Sequence, residues 1–304
     1  MSQLRSFNPL VSIIIPTYNR AFCLERAISS VIEQTFTNWE LIVVDNNSAD
    51  NTDDVINNFL DDRISIVKVF NNGIVAKSRN VGVKLAIGTF VAFLDSDDWW
   101  VPKKLEIAVQ QLNLGNDLVY HDLYKVSKLH ILAKKHVRIP SKTLTHPVFV
   151  DLLTNGNAIW NSSVVVRRSL IAEIGGFSEE KDLVGSEDFD GWLRIAKLTE
   201  KFKRLEGVLG YYWYGGGNLT SAKGTLKNIL LISKKYDADF KMLGFKTLPG
   251  WMVYAIASAS WALNDFVEAG RYSLLTLKSS APPKILLKAA VILFISTLKL
   301  RRKT

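Results

Sequence analysis

Several features that would each narrow the reading are missing from this sequence. Cys23 is the single cysteine in 304 residues. No internal disulfide can form, and a reducing compartment suits the chain. The opening MSQLRSFNPL has no apolar signal core, so a cytoplasmic protein is expected. The histidines (His121, His130, His136 and His146) show no close ligand spacing, and none is expected to hold a metal. Asn161-Ser162-Ser163 matches a glycosylation sequon, but no secretory signal accompanies it. No long repeat is present. Acidic residues stop at Glu268, whereas Arg271, Lys278, Lys284, Lys288, Lys299, Arg301, Arg302 and Lys303 follow. Such a tail calls for an anionic partner. Its last apolar stretch, Lys284–Leu300, falls short of the ~20 residues of a spanning helix and contains Lys288. An interfacial helix on anionic headgroups is expected, against the alternative of a helix packed on the rest of the protein.

Apolar residues are plentiful, at 48% of the chain, with a net charge of +9. A sizeable core can form, and the length suits one large domain with an appendage. Val11–Ile15 (VSIII) is β-branched and stops at Pro16. Glu40–Val44, Ile64–Val69, Thr89–Leu94 and Asp117–Tyr120 repeat the pattern. Helical spacing separates them over Ala21–Gln34, Asp50–Leu60 and Ala76–Ala86. Strand alternating with helix predicts an α/β fold with a mostly parallel, doubly wound sheet. In such sheets ligands bind beyond the carboxyl ends of the strands. Polar clusters fall there: PTYNR after the first strand, DNNSAD after the second and DSDD after the fourth. The stretch from Asp122 to Lys142 lacks a period and reads as an excursion. From about residue 216 to 304 a helical region is predicted, following a domain over 1–215. Trp160 and Trp192 are expected in the core, against the alternative that they stack on the acceptor.

Asp95, Asp97 and Asp98 crowd into FLDSDDWWVP and repel one another. Three readings fit. The acids line a solvated turn, hold a divalent cation through hard oxygen ligands, or cap the helix expected from Pro102.

VSIIIPTYNR, ELIVVDNNSAD, GIVAKSRNVGVKLAIGTFVAFLDSDDWWVPKKL and GSEDFDGWLRIA, in that order, resemble a family 2 glycosyltransferase of the GT-A fold over residues 10–214. The resemblance implies transfer from a nucleotide diphosphate sugar to a glycan or lipid-linked acceptor, with inversion, in surface polysaccharide synthesis at the inner face of the cell membrane. It also implies site residues. Pro16 and Tyr18 would form the nucleotide loop, Asp45 would accept from the base, and Arg79 would lie near base and phosphate. Asp95 would meet the ribose and donor. Asp97, with Asp95 and Asp98, would hold Mn²⁺ or Mg²⁺. Asp188 would be the general base within the Glu187-Asp188 pair. An acceptor-only carboxylate at Asp45 suits the imide of uracil, which favours a UDP-sugar, although guanine edges satisfy the same logic. The chain departs from the family pattern in carrying Asn46 after Asp45 and Ser78 before Arg79.

Two other functions are weaker. A nucleotidyltransferase would place a glycine-rich phosphate loop after the first strand, and PTYNR has no glycine. A nucleic-acid binder would not line its strand ends with acids. An inactive sugar-nucleotide-binding scaffold on the same fold is the remaining alternative.

Overall fold

The computed structural model describes residues 8–127, 136–215 and 221–301. His130, part of the Asp122–Lys142 excursion, and the basic end at Arg302 and Lys303 lie outside the described residues. Two compact units emerge. The first comprises residues 8–127, 136–149, 158–179 and 187–215, and the second 150–157, 180–186 and 221–301.

The first unit is built on one sheet. β1 (Val11–Thr17), β2 (Trp39–Asp45), β3 (Ile64–Lys68) and β4 (Phe90–Phe93) are mutually parallel, in the order β3-β2-β1-β4. Every residue of β1 and β2 is buried, as expected where helices cover both faces. The helices between them are α1 (Ala21–Ile32), α2 (Thr52–Asn57) and α3 (Val75–Leu85). Ile13, Ile15, Leu41 and Val43 pack with Leu24, Ile28 and Ala92 in the core. α1 has no cap from its own side chains. Instead its first amide, Ala21 N, donates to Asp50 Oδ2 at 3.0 Å from the loop after β2. Two of the polar loops are thereby tied together.

Beyond β4 the sheet becomes mixed. β5 (Trp99–Trp100), β6 (Leu118–Val126), β7 (Val137–Ile139), β8 (Val165–Arg167) and β9 (Phe202–Trp213) complete nine strands among the described residues. β8 runs antiparallel to β4 and β6, whereas β9 runs parallel to β6. The alternating part of the sequence thus forms the parallel half, and the irregular part supplies the mixed half. The excursion contributes β7 as a hairpin partner of β6.

The helix expected at Pro102 begins at Lys104, as α4 (Lys104–Asn113). Trp99 and Trp100 intervene as β5, paired with Tyr211 and Gly210 of β9. That pairing ends the capping alternative for Asp97 and Asp98. Lys104 itself is buried, its Nζ 3.6 Å above the Trp100 ring centroid and without a hydrogen-bond partner among the described residues. Burial pushes its pKa well below the usual lysine value. The folded chain therefore holds that proton less tightly than the unfolded chain does, and this opposes folding at every pH below the ordinary lysine pKa. Lys104→Met should raise unfolding free energy by about 1–3 kcal/mol. The gain should shrink as pH rises toward 10, which denaturant unfolding across pH would read.

α5 (Val148–Asn155) leads from the first unit into the second, and α6 (Arg168–Glu173) and α7 (Glu187–Ala196) belong to the first. Gly175 and Gly176 close α6 at positive φ (73° and 85°), where glycine alone is unstrained.

The second unit is helical: α8 (Ala222–Lys235), α9 (Asp237–Met242), α10 (Gly250–Ala262), α11 (Phe266–Leu277) and α12 (Pro283–Arg301). Asp265 caps α11 by accepting from Glu268 N at 3.1 Å. The segments 150–157 and 180–186 group with these helices for local reasons. Trp251 Nε1 donates to Leu153 O at 3.1 Å, and its ring lies against Gly156. Asn228 Nδ2 donates to Val184 O at 3.2 Å.

Candidate active site

The carboxyl ends of β1, β2 and β4 bring the three polar loops together, and α7 adds its first turn. Arg79 on α3 is the centre of the arrangement. It is 4% exposed, and its fork spans two elements. Nη1 donates to Glu187 Oε1 at 2.6 Å and Nη2 to Asp95 Oδ1 at 2.7 Å. A planar guanidinium suits such a bridge better than a lysine ammonium. The Asn161 amide oxygen, turned toward Arg79, lies 3.2 Å from Nη2 and 3.3 Å from Nε. Asp95 N donates to Ser162 Oγ at 3.1 Å, and the Trp100 indole N–H donates to Ser162 O at 2.7 Å.

With Glu187 held by Arg79, the neighbouring Asp188 is the less committed member of the pair. It is partly exposed at the start of α7, and its Oδ1 accepts from Phe189 N at 2.7 Å. Burial, then the adjacent Glu187 charge, push its pKa up to about 7, against the opposing pull of Arg79.

Asp97 retains accessible surface and meets Arg20 Nη1 at 3.4 Å. Its pKa is pushed up to about 6, by burial first and Asp95 second. Arg26 on α1 steadies this loop from below. Its Nη2 donates to Asp97 O at 2.8 Å, and its guanidinium lies 3.7 Å from the Trp99 ring centroid and 5.1 Å from that of Trp213. Asp98 is placed differently. It is 1% exposed, and its Oδ1 accepts from Trp213 N at 2.9 Å. Burial and the neighbouring acids raise its pKa well above the ordinary value. It anchors β9 and presents no open ligand face.

Among the described residues no three His, Cys, Asp or Glu side chains converge as a ready-made metal cage. The donor set still fits a hard divalent cation of the Mg²⁺ or Mn²⁺ kind. Such ions take one or two carboxylates and complete their shell with water and substrate phosphates. Asp97 and Asp95 offer those two carboxylates, whose mutual repulsion such a cation would relieve.

The nucleotide loop is ordered by its own polar groups. Asp45 is completely buried and accepts from Ser48 N and Ser48 Oγ. It shapes the turn after β2 and has no surface of its own. Asn46 Oδ1 accepts from Asn71 N at 2.8 Å, and Asn71 Nδ2 donates to Ser78 Oγ at 2.8 Å. The two departures from the family pattern, Asn46 and Ser78, are thus joined through Asn71. Pro16 is buried within β1, opposite Val44. Tyr18 is 55% exposed, leaving its ring available for stacking. Arg20, Arg26, Asn161 and Ser162 were not singled out as site residues by sequence. Arg20 alone had a signal, as the last residue of PTYNR.

Two tryptophans behave differently. Trp192 is fully buried, in edge contact with Phe177 at 5.6 Å. Trp160 is 37% exposed and lies 6.0 Å from the Tyr212 ring, so it does not belong to the core. The Tyr212 hydroxyl is itself pushed up to about 12, by burial and then by Asp98, Asp95 and Asp97.

Residues 12–174 match the profile of Glycosyl transferase family 2. The chain belongs to this family. It is a glycosyltransferase, and its fold is the GT-A arrangement. It is 36% identical over 188 residues to UDP-Glc:alpha-D-GlcNAc-diphosphoundecaprenol beta-1,3-glucosyltransferase WfgD of Escherichia coli, spanning 62% of this chain and 70% of that one. It is 41% identical over 105 residues to the putative teichuronic acid biosynthesis glycosyltransferase TuaG of Bacillus subtilis, spanning 34% of this chain and 42% of that one. Among solved structures, S. aureus TarS 1-349 in complex with UDP-GlcNAc aligns with a TM-score of 0.60 at 18% identity, over 94% of this chain and 88% of that one. Mannosyltransferase PcManGT from Pyrobaculum calidifontis, in complex with GDP-Man and Mn²⁺, aligns with a TM-score of 0.57 at 18% identity, over 97% and 87%. At those identities the structural likeness speaks to fold alone.

Proposed function

We propose that this glycosyltransferase moves a sugar from a nucleoside diphosphate sugar, a UDP-sugar in preference, to a lipid-linked glycan in surface polysaccharide synthesis. The transfer inverts the anomeric centre and takes place at the inner face of the cell membrane. The observation that carries the reading is the Arg79 bridge. It fastens the donor-side acid Asp95 to Glu187 and leaves Asp188 beside them with a pKa of about 7. A general base is most effective when its pKa lies near the working pH. The similarity to WfgD, a glucosyltransferase named for a diphosphoundecaprenol-linked acceptor, supports the acceptor class.

In this mechanism Asp188 takes the proton of the acceptor hydroxyl. That oxygen forms the new bond to the anomeric carbon, and the bond from that carbon to the diphosphate breaks from the opposite face. The leaving nucleoside diphosphate keeps the electron pair. Asp97 and Asp95 are the residues to hold a divalent cation, which when bound would supply charge stabilisation to the diphosphate. Tyr18 offers its ring to the base, and Arg20 offers a cation beside Asp97.

Calorimetric titration with UDP-, GDP- and dTDP-sugars tests the donor site. One donor should bind with Mn²⁺ and lose most of that affinity in chelator, and Asp97→Asn should weaken binding by about ten-fold or more. A folded chain that binds no donor overturns the reading. Proton NMR of the product reports the stereochemistry, and a retained anomeric configuration rules out single displacement.

A further inference from the structure

α12 carries an exposed apolar stripe that the fold does not use. Leu287 is 68% exposed, Val291 50%, Phe294 65% and Leu298 43%. At 3.6 residues per turn these four lie within roughly 60° of one another around the helix. Ala289 and Ser296, the buried residues of α12, lie about 180° away and face α10 and α11. Burial on one side and the apolar stripe on the other leave the charges at the margins. Lys284, Lys288 and Lys299 flank one side of the stripe, and Arg301 the other. All are exposed, and no acid occurs anywhere after Glu268. The helix is not long and apolar enough to cross a membrane, since none of the described residues forms such a span.

We infer that α12 is an interfacial helix that lays this stripe into an anionic lipid surface. The four apolar side chains would enter the headgroup boundary while the flanking lysines extend their ammonium groups to lipid phosphates. The exposed lysines Lys284, Lys288 and Lys299, on a stretch of sequence with no acid, fit an anionic bilayer. They do not fit a second copy of this chain, where the same cations would meet each other. The inference deepens the proposed membrane location by naming the surface responsible, and it rests on that reading only for its biological setting.

The test is flotation of the full chain with phosphatidylcholine vesicles, with and without phosphatidylglycerol. The protein should float with the anionic vesicles, less so as salt rises, and little with phosphatidylcholine alone. Phe294→Ser with Leu298→Ser, and separately Lys284→Glu with Lys288→Glu, should each cut partitioning by about ten-fold or more. Leu60→Ser, at an exposed residue of the other unit, should leave it unchanged. Unaltered melting of the variants would confirm that they fold. Wild-type protein that stays with the solvent in both lipids overturns the inference. So does a wild-type dimer that the stripe variant converts to monomer, because the stripe would then be a subunit contact. Donor titration of the same samples separates this outcome from failure of the catalytic reading, since a chain that floats but binds no donor would sink that reading alone.

Discussion

Asp188→Asn should lower turnover by about 10²- to 10⁴-fold, the contribution of a well-placed general base. Donor affinity should be unchanged, because the side chain faces the acceptor's proton in the proposed mechanism and makes no donor contact. The wild-type rate should rise with pH through about 7, where Asp188 loses its proton. In the variant that limb should be absent. Stability should move the opposite way. The folded protein holds the Asp188 proton more tightly than the unfolded chain does, because its pKa stands near 7 against 3.8 in the unfolded chain. The fold is therefore favoured in acid, and this contribution is lost as pH rises from about 4 toward 7. Asparagine cannot ionise. The variant should be more stable than wild type by on the order of 1–3 kcal/mol at pH 8 and no more stable at pH 4. Equal turnover, or a variant with the wild-type pH limb intact, would remove Asp188 from the role of base.

Arg79→Met should give the largest loss of stability. It removes one cation from between two carboxylates, and Glu187 is 5% exposed at its side chain. Breaking a buried pair in this way costs about 3–5 kcal/mol, because the partner charge is left without compensation. Chemical denaturation would read the difference. The double variant Arg79→Met, Glu187→Gln should recover much of that stability, since the stranded charge is gone. It should not recover transfer activity, because Asp95 and α7 are no longer fastened together. Recovery of both would reduce Arg79 to a structural residue. Recovery of neither would mean that Asp95, the other partner of the fork, dominates the penalty.

The β-branched runs that stop at PTYNR, at DNNSAD and at DSDD made the parallel half of the sheet legible, and with it the meeting of those loops. Each strand is fixed by its own local pattern of buried residues. The mixed half is less legible. β5 is two residues long and exists because Tyr211 and Gly210 lie opposite it. No local period announces a strand whose partner is so distant in sequence. The same distance hid the role of Asp98. In sequence it is one of three equivalent acids, and only the Trp213 amide distinguishes it. Arg26 reads as an ordinary helical arginine until the fold sets two indole rings beside it. A tryptophan such as Trp160 reads as core from composition alone, and the short turn over Asn161–Ser163 instead leaves it partly outside.

The interleaving of the two units bears on how the protein is made. The chain passes from one unit to the other repeatedly, at residues 149–150, 157–158, 179–180 and 186–187, and again between 215 and 221. On the ribosome, every residue of the sheet has been synthesised by Trp213, yet the partners of 150–157 and 180–186 have not. Leu153 waits for Trp251, and Val184 waits for Asn228. Vectorial synthesis therefore yields the catalytic sheet first, with two segments held unpaired until the helices follow. A released fragment ending near residue 215 would lack both of these partners and would leave those segments open to proteases and chaperones.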